Sequence, residues 1–118
     1  MKNVYYTIEV QMAGTNVITK EVLECIENYL GVAGTDVDER EPHCVTFFAK
    51  LNVMPSEMRE RVWKLLNNVR GSKDHEPMIH YVDVIYRWDT EMNADRFVFW
   101  SDGYSQEYTG TMIFKEDK

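Results

Sequence analysis

Apolar and polar residues alternate strictly near the start of the chain. In "VYYTIEVQM", Val4, Tyr6, Ile8, Val10 and Met12 share one side, while Tyr5, Thr7, Glu9 and Gln11 share the other. A period of two puts successive side chains on opposite faces, so this segment reads as a half-buried strand. The period then changes. "TKEVLECIENYLG" spaces Val22, Leu23, Ile26, Tyr29 and Leu30 along one face of a helix. Thr19 is placed to cap its start and Gly31 to end it.

The period of two returns from about His43 to Val53, where Val45, Phe47, Ala49, Leu51 and Val53 alternate with Cys44, Thr46, Phe48, Lys50 and Asn52. Ahead of it, Thr35–Asp38 predicts a short polar strand that turns through "EREP" into the longer one; the alternative is a plain acidic loop. "PSEMRERVWKLLNNVRG" is the clearest helix. Met58, Val62, Leu65, Leu66 and Val69 form its apolar stripe, Glu60 and Lys64 make an i,i+4 pair, and Gly71 ends it. "MIHYVDVIYRW", "RFVFW" and "EYTGTMIF" are rich in β-branched and aromatic residues and predict three more strands. Asp102-Gly103 supplies the tight turn between the last two.

These elements predict an α+β fold: a mainly antiparallel sheet of five to six strands with two helices packed on one face. The order is the ferredoxin-like β-α-β-β-α-β pattern plus a C-terminal β-hairpin. A chain of 118 residues suits a single domain over 1–118, large enough to bury a core without metals or disulfides. Cys25 and Cys44 lie beside apolar residues in a helical and a strand pattern, and read as buried thiols. No apolar run nears the roughly 18 residues of a membrane span. "MKNVYYTIEV" has no signal-peptide pattern, so a cytoplasmic location is expected.

Charge changes the picture more than composition does. The net charge is −7, and it is uneven. Glu9, Glu21, Glu24, Glu27, Asp36, Asp38, Glu39 and Glu41 face only Lys2, Lys20 and Arg40 in the first 49 residues, whereas residues 50–76 are mildly basic. Such a chain repels phosphate backbones, which argues against direct nucleic-acid binding. The aromatic strand "RFVFW" also lacks the glycines and basic neighbours of an RNA-recognition module.

Candidate chemistry is thin. In "DTEMNAD", Asp89, Glu91, Asn93 and Asp95 match the first oxygen-donor positions of a calcium loop, but Ala94 replaces its glycine and Trp100 its bidentate glutamate. His43, His75 and His80 have no metal-pair spacing, and no CxxC occurs. Adjacent strand residues point apart, which separates Cys44 from His43. His80 is expected at the core or its edge, with Met78, Val82 and Val84. Asp83 is expected as an open-face residue paired with Arg87 or Lys50. Phosphate-loop motifs do not occur, and no catalytic, cofactor or metal residue is assigned.

Two surfaces remain. Glu21, Glu24, Glu27, Asp36, Asp38, Glu39 and Glu41 form an acidic patch suited to docking on a basic groove. Tyr5, Phe48, Tyr81 and Trp100, with Ile79 and Ile85, would fall on the sheet face that the helices leave open, too apolar to stay wet without a reason. That face either curls into a second small core or meets another chain, and self-association is the simplest such contact. The expected function is therefore a non-enzymatic protein-binding module. In sharper form it is an inhibitor that mimics nucleic-acid charge on a basic protein, as accessory proteins of phages and mobile elements do. The alternatives are a small-molecule site or minor enzyme in which Tyr81, Asp83, Phe48 and Trp100 converge, and a structural homodimer subunit.

Overall fold

A computed structural model describes residues 3–33, 40–70 and 77–113, with side chains to residue 107. The elements are β1 (Val4–Met12), α1 (Lys20–Leu30), β2 (Cys44–Leu51), α2 (Pro55–Asn68), β3 (Ile79–Trp88), β4 (Asn93–Trp100) and β5 (Ser105–Ile113). They form an α+β fold with one five-stranded antiparallel sheet in the order β2-β1-β3-β4-β5. β2 and β3 both run antiparallel to β1, which lies between them, so they are parallel to each other, and β2-α2-β3 is a crossover that passes β1. Thr35–Asp38, on which the ferredoxin-like pattern depends, lies outside the described residues.

Alternation decides the inside face. Val4, Tyr6, Ile8, Val10 and Met12 of β1 are all buried. They pack in one cluster with Val45 and Phe47 of β2, Val82, Val84 and Tyr86 of β3, and Phe97 of β4. Ile26 and Leu30 of α1 join that cluster, as do Met58, Val62, Leu65 and Leu66 of α2, so both helices cover the same face of the sheet. The one polar atom that β1 sends into this core is the Tyr6 hydroxyl, which donates to the Val53 carbonyl at 2.6 Å.

Helix ends follow local chemistry. The Thr19 hydroxyl accepts from the Val22 amide, 3.2 Å away, and Gly31 ends α1 in the left-handed region at φ 74°. No basic residue stands in the last turn of α1. Arg61 of α2 takes that role by donating to the Leu30 carbonyl at 3.0 Å while pairing with Glu57 at 2.9 Å. The helix pair at i,i+4 is thus Glu57–Arg61, where the sequence suggested Glu60–Lys64. α2 also stops earlier than expected: it ends at Asn68, whose amide donates to the Lys64 carbonyl, and Val69 is already extended. No helix among the described residues is long and apolar enough to cross a membrane.

One irregularity shifts the phase of β3. The pairing of β1 with β3 slips between Gln11 and Met12, where Gln11 opposes Tyr81 but Met12 opposes Ile79. The extra residue is His80. A bulge of this kind reverses which side chains point inward on one side of it. Ile79 is consequently buried in the core and His80 is exposed, the reverse of what uniform alternation predicts.

Candidate functional site

Antiparallel register builds the open face of the sheet as four rows across the strands. Lys50, Tyr5 and Arg87 form the first row, and Phe48, Thr7, Ile85 and Arg96 the second. Thr46, Glu9, Asp83 and Val98 form the third, and Cys44, Gln11, Tyr81 and Trp100 the fourth. The rows differ in charge. Row one is cationic, row three is acidic, and Phe48 stands between them.

In row one, Lys50 and Arg87 both approach the Tyr5 ring, with Nζ 5.4 Å and Cζ 4.6 Å from its centroid. A cation over a ring face is attracted by the ring quadrupole. Arg87 is further held by donating to the Glu91 carbonyl at 2.9 Å. From the sequence both cations are expected on this face only as partners of Asp83, not beside Tyr5. What would reveal them is register: both residues oppose Tyr5, from the strands on either side of it. Row one and Phe48 border an open depression of about 390 Å³, which Thr7 and Ile85 also line. Phe48, on β2 at the edge of the described sheet, is 78% exposed.

Row three is held by its own pairs. Arg96 grips Asp83 with two hydrogen bonds of 2.9 and 2.7 Å, the bidentate geometry that best matches a guanidinium to a carboxylate. Asp83 therefore pairs with Arg96 of β4, not with Arg87 or Lys50. Glu9 accepts from the Cys44 thiol at 3.3 Å and from the Tyr81 hydroxyl at 3.4 Å. Burial, helped by the hydrogen bond to Glu9 and its charge, pushes the Cys44 thiol up to about 11. The Tyr81 hydroxyl is raised by burial first and by Glu9 next. His43 turns elsewhere: its Nδ1–H donates to the Asn16 carbonyl at 2.7 Å.

This environment makes a measurable prediction. At pH 8 about a thousandth of Cys44 should be thiolate, against about a quarter of an ordinary thiol. Alkylation of Cys44, followed by mass spectrometry, should be slow at pH 8 and accelerate toward pH 11. Glu9→Gln removes the charge and replaces one carboxylate oxygen by an NH2 donor, and should speed the reaction at pH 8 roughly three- to tenfold. The reading fails if the variant reacts at the wild-type rate.

The aromatic residues divide between the faces. Phe97 is fully buried and Phe99 packs against the core, with ring centroids 5.3 Å apart. Trp100 lies on the open face, its ring tilted against that of Tyr104 with centroids 5.1 Å apart. Val98 and Ala94 also belong to the open side, yet they are 3% and 0% exposed and stand outside the main core cluster. The open face is thus closed over near β4 and exposed near β2. Tyr81 and Trp100 are direct neighbours, whereas Phe48 stands on β2 with β1 between it and Tyr81. The four residues of the small-molecule alternative do not converge on one point.

The acidic patch is described in part. Glu21 and Glu24 are exposed on α1 and Glu27 is half-buried there; Glu41 is exposed. The Ile18 amide donates to the Pro42 carbonyl at 2.8 Å, which brings the segment after Glu41 beside the lead into α1. Asp36, Asp38 and Glu39 lie outside the described residues. In the calcium-like segment, Asn93 and Asp95 are part of β4, and no group of three metal-ligating side chains occurs among the described residues. No family model, curated protein or solved structure matches the chain.

Proposed function

We propose that the chain is a small non-enzymatic module that binds a basic protein through the acidic face of α1. The observation that carries this reading is that three carboxylates without an ion pair among the described residues follow one another along one helix. Glu57, Asp83 and Glu107 pair with Arg61, Arg96 and Arg59. Glu21, Glu24, Glu27 and Glu41 form no ion pair among the described residues. Unneutralised carboxylates on one face raise a negative potential that steers a basic partner and holds it in register.

In its narrower form the partner is a nucleic-acid-binding protein and the carboxylates stand in for phosphates. Residues three apart on a helix are separated by about 4.5 Å along its axis, close to the roughly 3.4 Å per phosphate along one DNA strand. An inhibitor of the phage or mobile-element type fits that geometry, acting in the cytoplasm, where Cys25 and Cys44 stay as free thiols. The order and directions of β3, β1 and β2 support the ferredoxin-like reading. They match its fourth, first and third strands.

The test is an affinity capture with nuclease present, comparing wild type with Glu21→Lys/Glu24→Lys/Glu27→Lys. Reversal at Glu21 costs the helix N-terminus only about 0.3–1 kcal/mol, so the fold should persist. One dominant basic partner is expected with wild type. Its affinity should drop at least tenfold in the variant, and again near 1 M salt, where the screening length is about 3 Å. Equal binding by wild type and variant would sink the acidic-docking reading.

A further inference from the structure

We propose that the depression over Thr7 binds a small aromatic carboxylate, its ring held between Phe48 and Ile85 and its charge turned toward Lys50. The shape comes from one short side chain. Thr7 stands in the middle of its row, with Phe48 across from it on β2 and Ile85 on β3. Two strand spacings of about 4.8 Å set those two neighbours about 9.6 Å apart. A flat ring touching a side chain on each face needs about 7–8 Å, and two stacked rings need about 11 Å. The gap therefore takes one layer of ring. Its volume of about 390 Å³ falls at the lower end of small-molecule sites, which run from about 300 to 1,000 Å³.

Charge selects the class of ligand and its direction. At one end of the gap, Lys50 Nζ and Arg87 Cζ lie 5.4 and 4.6 Å from the centroid of the Tyr5 ring. Arg87 is anchored by the Glu91 carbonyl and makes a fixed positive wall. Lys50 is exposed, and its ammonium forms no ion pair among the described residues. A ring face attracts that charge, but a carboxylate oxygen is the stronger acceptor. At the other end Asp83 is closed by Arg96, and Glu9 accepts from Cys44 and Tyr81. That end offers an anion a carboxylate and no open cation, so the charge of the ligand faces Lys50.

Spacing places the carboxyl group directly on the ring. Rows one and two are two residues apart along each strand, about 6.6 Å. Half a ring, a carboxyl group and a charge-assisted hydrogen bond of about 2.8 Å cover that distance. An aliphatic acid would reach the ammonium equally well, but it would leave the exposed Phe48 ring without an aromatic partner. The site lies on the sheet face opposite α1 and α2, so it stands or falls independently of the acidic face of α1.

Titration of isotope-labelled protein with naphthoate, followed by backbone amide chemical shifts, tests the proposal. Naphthamide is the neutral counterpart and octanoate the counterpart without a ring. Naphthoate should bind with a Kd of about 1 mM or tighter, with the largest shifts at Tyr5, Thr7, Phe48 and Ile85. Naphthamide and octanoate should each bind at least threefold more weakly. Lys50→Gln and Phe48→Ala should each weaken naphthoate at least threefold, and Lys50→Glu at least tenfold. Thr7→Leu fills the gap while keeping the cations and the ring, and should abolish binding. The amide spectrum shows in the same experiment that each variant is folded.

The absence of shifts up to about 5 mM naphthoate overturns the proposal, as do shifts that centre elsewhere on the chain. Equal binding of naphthamide overturns the part given to Lys50, and equal binding of octanoate overturns the aromatic class. A folded Thr7→Leu variant that binds like wild type puts the ligand outside the gap, and the proposal falls. Glu21→Lys/Glu24→Lys/Glu27→Lys should leave naphthoate binding unchanged; if binding is lost, the ligand does not sit on this face.

Discussion

Truncating Phe97 to alanine should destabilise the fold by about 3–5 kcal/mol, whereas Phe48→Ala on the other face should shift stability by less than about 0.5 kcal/mol. Phe97 is fully buried and stands at the centre of a chain of rings. Tyr86 lies 6.0 Å away on one side and Phe99 5.3 Å on the other; these in turn reach Tyr6 at 6.2 Å and Trp63 at 5.8 Å. The ring also carries a cation: Arg59 of α2 sits 4.9 Å above its centroid and pairs at 3.1 Å with Glu107 of β5. That ion pair is close in distance although the Arg59 Nε–H is not aligned as a hydrogen bond. Alanine would leave a cavity beneath a half-buried guanidinium and unlink α2 from β4 and β5 together. For a domain of this size the loss corresponds to a fall in Tm of about 12–20 °C. A fall as small as that of Phe48→Ala would mean that Phe97 is not a core residue.

The contrast between two phenylalanines also marks how far the sequence was legible. Alternation in β1 and β2 placed Phe47 inside and Phe48 outside without any knowledge of the partners, because a strand buried on one face repeats every two residues. The caps of α1 were legible for a similar reason: Thr19 and Gly31 act within a single turn of their own helix. What was not legible depends on register. His80 faces solvent because the pairing with β1 slips at Met12, and nothing within "MIHYVDVIYRW" announces a slip. Asp83 finds Arg96 and Tyr5 finds Lys50 and Arg87 only once the order β2-β1-β3-β4 is known.

The candidate surfaces divide along the same line. The acidic patch was visible as local composition, since Glu21, Glu24 and Glu27 follow one another on one helix. The charge rows of the open face were not, because the charged residues of each come from two strands distant in sequence. The sheet converts scattered single residues into a pattern with a direction, cationic at one end and acidic at the other.

The acidic face of α1 is presented at a fixed angle only if α1 is locked to α2, and Gly31 lies against the Arg61 side chain of α2. Gly31→Ala should cost about 2–4 kcal/mol. The backbone there has φ 74°, a left-handed conformation that costs a residue with a Cβ about 1–2 kcal/mol. In addition, a Cβ would come within 2.5 Å of Arg61 Nη1, the atom that donates to the Leu30 carbonyl. Displacing that charged donor forfeits a hydrogen bond worth about 1.5–3 kcal/mol, part of which water restores. A double-mutant cycle separates the two costs. In an Arg61→Ala background the clash is gone, and Gly31→Ala should cost only the backbone share, about 1–2 kcal/mol. Equal costs in both backgrounds would mean that Arg61 does not pin the end of α1. The acidic face would then be held by the apolar contacts of Ile26 and Leu30, with those of Val22, Leu23 and Tyr29 beside them.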